Sequence, residues 1–163
     1  MDKVQGRVWL FGDDIDTDQI LPGYAMTEDV ANLHKFVMAG SALPEFGKLV
    51  ERGDIVVAGK NFGCGSSREQ APVALKNAGV SLIIAASVAR IFRRNAINIG
   101  LPVIVADLGE KVGQGETLTV SLEEGTIKRG DVRVENFTLS DTAYQTIKAG
   151  GLINRVRMEL EGS

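Results

Sequence analysis

The stretch that decides the fold is residues 54–86, DIVVAGKNFGCGSSREQAPVALKNAGVSLIIAA. It contains two continuous apolar runs, IVVA and LIIA, and each run is bounded by polar or turn-forming residues. Such runs are typical of strands that are buried on both faces of a sheet. The segment between them, at about residues 67–79, has the composition of a helix. We therefore predict a strand, a crossover helix and a second, parallel strand.

The same order repeats towards the C-terminus. We predict a helix from Ser87 to about Ile97 and a strand at residues 101–106, LPVIVA, which completes a parallel β-α-β-α-β core. Residues 111–138 alternate short β-branched runs with Glu-Gly and Arg-Gly turns, a pattern that predicts β-hairpins appended to this core. The rest of the chain predicts two helices separated by a Gly-Gly break. The fold class is α/β.

Three elements are predicted on the N-terminal side. Residues 7–11, RVWLF, have the pattern of a short strand. The acidic segment 13–23, DDIDTDQILPG, is expected to be a loop that is too polar for the core. Residues 27–40 carry apolar side chains at helical spacing, with Thr27 in front and Gly40 behind, and predict an α-helix.

Composition limits the class of protein. The chain has 163 residues and a net charge of −3, so we expect one domain spanning residues 1–163 and no binding to nucleic acid. Its apolar runs are far shorter than the roughly 20 residues of a membrane span, which predicts a cytoplasmic protein without membrane contact. Cys64 is the only cysteine and His34 the only histidine. The chain is therefore not expected to bind zinc or an iron–sulfur cluster itself.

The loop before the second predicted helix has the features of an anion site. Gly63 and Gly65 leave the backbone open to a small anion near the helix start. The spacing matches neither a Walker loop, a dinucleotide-binding fingerprint nor a nucleophile elbow. The guanidinium of Arg68 forms two parallel hydrogen bonds with a carboxylate, so a carboxylic acid is the predicted ligand. In a dry site stabilised by cations, a neighbouring serine hydroxyl becomes a base strong enough for a weakly acidic C–H.

A structural interpretation of the same loop competes with this one. Residues 66–69, SSRE, fit a capping box, in which the serine and glutamate only complete the hydrogen bonds of the first helical turn. Pro72 complicates that interpretation, because in a helix that starts at Ser67 its ring would clash near the Arg68 carbonyl.

Three motifs in this order and spacing resemble the small-subunit family of the aconitase superfamily, and within it the 3-isopropylmalate dehydratases. They are DDIDTDQILPG at 13–23, GCGSSRE at 63–69 and ARIFRRNAINIGLP at 89–102. The resemblance extends over nearly the whole chain and implies a single swivelling β/β/α domain. It also implies a separate large subunit that holds a [4Fe–4S] cluster as a Lewis acid, while this chain binds none.

The resemblance also implies roles for individual residues. Ser66 would be the base that removes and returns the substrate proton, and Ser67 and Arg68, with Gly65, would bind a substrate carboxylate. Thr17 and Asp18 would face catalytic groups of the large subunit, where Asp18 would orient a histidine. The reaction implied is removal of water from a hydroxy dicarboxylic acid and its readdition with the hydroxyl on the neighbouring carbon.

The turn after Pro22 would determine the substrate. It reads GYAMTED, so Tyr24, Ala25 and Met26 present no positive charge. An extra substrate carboxylate would require one, because a buried unpaired anion is costly. We therefore expect 2-isopropylmalate and 3-isopropylmalate, the isomers of leucine biosynthesis, or another alkylmalate, with homoaconitase as the alternative.

Two hypotheses from other classes stay open at this stage. The first is a carboxylate-binding module without chemistry, built on the glycine loop and Arg68. The second is a thiol enzyme that uses Cys64, which lies near a predicted helix N-terminus where a thiolate is favoured.

Overall fold

A computed structural model describes residues 3–66 and 68–162. Within these residues the chain forms one sheet of seven strands in the order β4-β3-β2-β1-β5-β6-β7. The strands are β1 (Lys3–Leu10), β2 (Ile55–Ala58), β3 (Leu82–Ala85), β4 (Val103–Val105), β5 (Thr117–Ser121), β6 (Thr126–Arg129) and β7 (Val132–Asn136). The helices are α1 (Thr17–Ile20), α2 (Phe46–Leu49), α3 (Gln70–Ala78), α4 (Arg90–Asn98), α5 (Asp141–Ala149) and α6 (Leu152–Glu161).

The parallel half of the sheet confirms the predicted β-α-β-α-β core. Strands β1 to β4 run parallel, and Val56 in the middle of β2 lies opposite Trp9 on one side and Ile83 on the other. Every residue of β2 and β3 is buried. Two core clusters explain this, because alternate residues of one strand pack into different clusters: Val56 into one and Ile55 into the other. The continuous apolar runs are therefore a consequence of burial on both faces.

The antiparallel half confirms the predicted hairpins. Strand β5 pairs with β1, and β6 and β7 extend the sheet from it. Side chains of β5 and β6, such as Val120 and Ile127, share a core cluster with Ile55 and Ile84 of the parallel half. The sheet therefore curls over its own face. The final two helices are separated at Gly150 and Gly151, both at positive φ, as predicted.

The start of α3 differs from the prediction. The helix begins at Gln70, not Ser67, so Pro72 lies in its first turn. The N–H groups of the first turn have no partner within the helix, so the missing N–H of proline removes no hydrogen bond there, and the expected clash does not arise. Glu69 occupies the N-cap without a side-chain hydrogen bond, so the capping box predicted for residues 66–69 is absent from the described part of this loop. The serine and arginine of the motif are left outside the helix.

The acidic segment is not the polar loop that the sequence predicted. Asp16 and Gln19 form a reciprocal capping box that starts the short helix α1. The apolar residues that follow turn inward, and Ile20 and Leu21 are fully buried. The prediction was wrong because it weighed the acids and overlooked the two apolar residues between them and Pro22.

The α-helix predicted for residues 27–40 is also wrong. The chain forms two 3₁₀ segments instead, Gly23–Thr27 and Val30–Phe36. The second segment ends because its next N–H groups bond elsewhere: Met38 N donates to Ile20 O at 2.7 Å and Gly40 N to Gln19 O at 3.2 Å. Tertiary hydrogen bonds to α1 therefore replace a continued helix.

Candidate active site

The acidic segment and the glycine loop are joined by backbone hydrogen bonds. Gly63 N donates to Ile15 O at 2.7 Å, and Thr17 N donates to Cys64 O at 2.9 Å. This short parallel pairing fixes the two loops relative to each other at the carboxyl end of β2. It places the hydroxyls of Thr17 and Ser66 3.4 Å apart. The structure thus brings together two residues that lie 49 positions apart in the chain.

Two glycines make this close approach possible. Gly63 has φ +77°, and a Cβ built on it would lie 2.4 Å from Phe92 Cγ of α4. Gly65 has φ +97°, and its Cβ would lie 3.4 Å from Thr17 Oγ1. A side chain at either position is strained by the left-handed backbone, and at Gly63 it would also push α4 away. Helix α4 therefore packs directly against the glycine loop.

A cleft of about 520 Å³ lies between these loops and the N-terminal turn of α4. We call it the Ser66 cleft. Ser66 is exposed within it, and Ile91 at 48% exposure presents an apolar surface on the α4 side. Its described lining contains three guanidinium groups and no carboxylate, and only one of the three pairs with an acid, Asp18, so its net charge is positive. The arginines are Arg68, Arg90 and Arg94.

Arg68 is held in place from two directions. Its Nη1 donates to Leu21 O at 2.8 Å and forms an ion pair with Asp18. The Arg68 side chain is 21% exposed and that of Asp18 is 68% exposed. The carboxylate is therefore at the surface, whereas the guanidinium lies deeper. The sequence did not predict this pairing, because nothing in the spacing links Asp18 to Arg68.

The turn expected to determine the substrate lies beside Arg68. A Cβ built on Gly23 would be 3.8 Å from Arg68 Nη2. Tyr24 is 66% exposed with its ring edge on Phe36, whereas Ala25 is fully buried and Met26 packs against the core. None of these three side chains is among the described residues that line the Ser66 cleft. Tyr24 is thus the most accessible of the three.

The α4 residues of the cleft were missed as site residues. In the sequence, residues 89–102 form one of the family motifs, and their arginines indicate an amphipathic helix whose basic face could meet a partner subunit, with no residue assigned to the site. Arg90 and Arg94 are one helical turn apart, so they lie on the same face, and this spacing is the signal that was available. Their position over the glycine loop depends on Gly63 and Phe92, which no periodicity reveals.

Ser67 and Cys64 are the other two residues of the glycine loop for which the sequence predicted a role. Ser67 lies outside the described residues. Cys64 is half-buried, and its backbone carbonyl, not its thiol, makes the hydrogen bond to Thr17. Among residues 3–66 and 68–162 no cluster of three histidine, cysteine or acidic side chains is arranged to hold a metal ion. In the same residues no helix is long and apolar enough to cross a membrane.

Comparison with known proteins identifies the family to which this α/β domain belongs. The family model described as the aconitase C-terminal domain matches residues 45–107. The 3-isopropylmalate dehydratase small subunit 1 of Methanopyrus kandleri is 49% identical over 97% of this chain and 95% of its own length. The methanogen homoaconitase small subunit of Methanothermobacter thermautotrophicus is 51% identical over 93% of this chain and 89% of its own. The chain belongs to this family of aconitase-type small subunits.

Solved structures support the same assignment. The crystal structure of 3-isopropylmalate dehydratase from Methanocaldococcus jannaschii superimposes with a TM-score of 0.89 at 41% identity, covering 96% of this chain and 95% of that one. Aconitase X from Thermococcus kodakaraensis gives a TM-score of 0.57 at 18% identity, which shows a shared fold alone. The predicted swivel-domain class is confirmed.

Proposed function

We propose that this chain is the small subunit of a hydro-lyase that interconverts 2-isopropylmalate and 3-isopropylmalate in leucine biosynthesis. The observation that carries the proposal is the Ser66 hydroxyl, exposed in a cleft whose described lining holds three arginines and no carboxylate. A dicarboxylate substrate needs cations, and removal of its C–H proton needs a base. Relatives over nearly the full length that are named 3-isopropylmalate dehydratase small subunits support the same reaction.

Ser66 is the proposed base. A serine hydroxyl is a weak acid in water. Positive charge nearby favours its alkoxide, whereas loss of water disfavours the alkoxide and so makes it a stronger base once it has formed. Arg68 and Arg90 supply positive charge in the cleft. Thr17, 3.4 Å from Ser66, offers a second hydroxyl that donates to the alkoxide. Ser66 then takes the proton from the substrate carbon and returns it to the neighbouring carbon.

Arg68 is the proposed carboxylate ligand. Its hydrogen bond to Leu21 O fixes the guanidinium plane before substrate arrives. A preorganised fork binds a carboxylate by two hydrogen bonds and orients the substrate over Ser66. Asp18 competes for the same guanidinium, so we infer that a substrate carboxylate displaces the exposed Asp18 side chain or shares the fork with it. Ser67 and Gly65 remain predicted ligands of that carboxylate.

The other half of the site must come from a partner. A [4Fe–4S] cluster is held by several cysteine thiolates and this chain has one cysteine, so we infer that its ligands come from another chain. We place that cluster in a large subunit that closes over the Ser66 cleft, where it would act as a Lewis acid on the leaving hydroxyl. The cytoplasmic location predicted from the sequence belongs to the same proposal.

The substrate side chain is proposed to be apolar. The turn beside Arg68, residues 23–27, carries no charged side chain, which disfavours the additional carboxylate of a homocitrate-type substrate. Identity alone does not separate the possibilities. A 51% identical relative is named homoaconitase small subunit, and a 48% identical one is named isopropylmalate/citramalate isomerase small subunit. The alternative is therefore a homoaconitase or a citramalate isomerase.

Mixing the chain with its large subunit tests the proposal. The chain and its own large subunit, purified separately without oxygen, are combined and assayed with 2-isopropylmalate, citramalate and homocitrate. We expect turnover only in the mixture and the highest kcat/KM with 2-isopropylmalate. A preference for homocitrate would establish the alternative, and turnover by this chain alone would contradict the divided site.

Calorimetry on the isolated chain tests the non-catalytic hypothesis. A carboxylate-binding module would bind a dicarboxylate tightly without a partner. Half of a divided site is expected to bind a dicarboxylate weakly. The isolated cleft is open to water and salt, which screen its charges.

A further inference from the structure

A second groove adjoins the Ser66 cleft on the other side of α4. It has a volume of about 470 Å³ and lies between α4, α5 and the start of α6. Four guanidinium groups and no carboxylate line it among the described residues, although the whole chain has more acids than bases. The arginines are Arg90, Arg93, Arg94 and Arg155. We call this surface the arginine groove.

Its charges are incompletely paired within the chain. The Nε atoms of Arg93 and Arg155 are buried and have no hydrogen-bond partner in the described structure. The Nε of Arg155 is 3.6 Å from Glu159 Oε1 and forms an ion pair with that acid, whose side chain is 67% exposed. Among the described residues, four guanidinium groups beside one ion-paired acid leave net positive charge in the groove for an anion to neutralise.

The groove is also preorganised. Arg155 Nη1 donates to Thr146 Oγ1 at 2.7 Å, which holds this guanidinium against α5. Hydroxyl groups of Thr138, Ser140 and Thr142 line the wall beside it. Hydroxyls and fixed guanidinium groups together form the donor set that carboxylates prefer.

Continuity between the groove and the cleft identifies the occupant. Arg90 and Arg94 line both surfaces. A partner that closes over the Ser66 cleft therefore also approaches the mouth of the arginine groove and excludes water from it. Charges that lose water without gaining a partner cost free energy, so the closing surface must bring anions.

We propose that the arginine groove binds carboxylate side chains of the large subunit and so anchors the two chains next to the active site. This inference rests on the proposed function, since it takes the partner from there. The chemistry that recognises the groove is a pair or cluster of aspartate or glutamate residues on the surface of that subunit.

Affinity between the two chains, measured by calorimetry at several salt concentrations, tests the inference. Arg93→Glu reverses one charge of the groove, and Arg133→Glu, on exposed β7 at the far edge of the sheet, is the matched control. We expect Arg93→Glu to weaken association by about tenfold or more and to flatten its salt dependence. Arg133→Glu should leave both unchanged. At saturating large subunit, kcat of Arg93→Glu should equal that of the wild type, because Arg93 does not line the Ser66 cleft.

The outcomes separate the two proposals. If the wild-type chain does not associate with the large subunit, the proposed function fails. If it associates and Arg93→Glu has the affinity and salt dependence of Arg133→Glu, only the groove inference is overturned. Arg93→Gln, which removes the charge without reversing it, gives the same comparison should Arg93→Glu not fold.

Inorganic phosphate distinguishes a free anion from partner carboxylates. We expect phosphate to bind the groove of the isolated chain and to be excluded from it in the assembled complex. Equal phosphate binding in the isolated chain and in the complex, detected by hydrogen-exchange protection or NMR line shifts of groove residues, would make this a site for a free anion. That result would overturn the inference.

Discussion

Arg68 combines two properties that a lysine cannot supply at that position. Its guanidinium donates to Leu21 O and pairs with Asp18 through one nitrogen, Nη1, and the residue lines the cleft. A lysine keeps the charge but has neither the plane nor the second nitrogen. The geometry of the fork, more than its charge, would therefore orient the substrate.

The first prediction concerns this fork. In the assembled enzyme we expect Arg68→Lys to raise KM by roughly tenfold to a hundredfold, the usual weight of a charge-assisted hydrogen bond. Steady-state kinetics at saturating large subunit measure it, and Lys48→Arg, on α2 and outside the cleft, controls for exchange of the two residue types. An unchanged KM would remove Arg68 from the substrate site.

Gly63 is the residue on which the packing of α4 depends. Its positive φ and its contact with Phe92 are two separate reasons why a side chain is excluded. Gly130 allows the two effects to be measured separately. It has φ +61°, as a strained position would, but a Cβ added there would have no neighbouring atom within 4 Å. The pair therefore measures backbone strain and steric exclusion independently.

The second prediction uses that pair. Gly130→Ala should cost about 1 kcal/mol from backbone strain alone. Gly63→Ala should cost roughly 2–5 kcal/mol, because displacement of Phe92 adds an overpacking penalty. Urea unfolding of the isolated chain gives both values. Equal losses in the two variants would show that α4 does not pack on Gly63 as described.

Among the elements, the second half of β1 and the start of β2 are tied together by one buried acid. Asp54, 5% exposed, accepts hydrogen bonds from Trp9 Nε1 at 2.7 Å and Glu51 N at 2.8 Å. It also pairs with Arg7 at 3.2 Å. One carboxylate thus joins the indole of β1, the turn before β2 and a cation at the edge of the core.

The third prediction is that this carboxylate stabilises the fold. Asp54→Asn should lower the free energy of unfolding by about 2–4 kcal/mol, because the amide leaves Arg7 without its counter-charge and loses one acceptor. Glu123→Gln, an exposed acid in the β5–β6 turn, is the matched control and should change it by less than about 0.5 kcal/mol. Similar midpoints of denaturation for the two variants would contradict this role.

Elements formed by local pattern were predictable from the sequence, and those formed by tertiary hydrogen bonds were not. The runs at 55–58 and 82–85 are apolar throughout because both faces of those strands are buried, so composition alone identifies them. The segment 30–36 has helical spacing, yet Met38 N bonds to Ile20 O instead of continuing a helix. No feature within the segment indicates that bond.

The candidate site divides in the same way. Arg68 was singled out because the glycine loop lies next to a strand end and a helix start, and Ser66 because the motif GCGSSRE resembles that of the aconitase small-subunit family. The Asp18–Arg68 pair and the approach of Arg90 to the cleft depend on how the acidic segment and α4 pack on that loop. Those contacts are set by Gly63 and Gly65, whose φ values are visible only in the structure.

At the scale of the whole molecule, two positively charged surfaces lie side by side on a chain of net charge −3. One presents the Ser66 hydroxyl and Arg68, and the other presents Arg93 and Arg155. Both are open, and a serine base requires a site from which water is removed. We therefore infer that assembly has two effects. It adds the Lewis-acid cluster proposed for the large subunit, and it removes water from the cleft in which Ser66 acts.

The most direct measurement is the rate of 2-isopropylmalate isomerisation by the assembled enzyme with Ser66→Ala in place of the wild-type chain. Light scattering on the same samples establishes that the complex is intact, and Ser41→Ala, outside both surfaces, controls for removal of a serine hydroxyl. We expect Ser66→Ala to lose a factor of about 10²–10⁴ in kcat while assembly and the Ser41→Ala rate stay at wild-type levels. A Ser66→Ala complex that assembles and turns over at the wild-type rate would contradict the role of this chain as the subunit that handles the substrate proton.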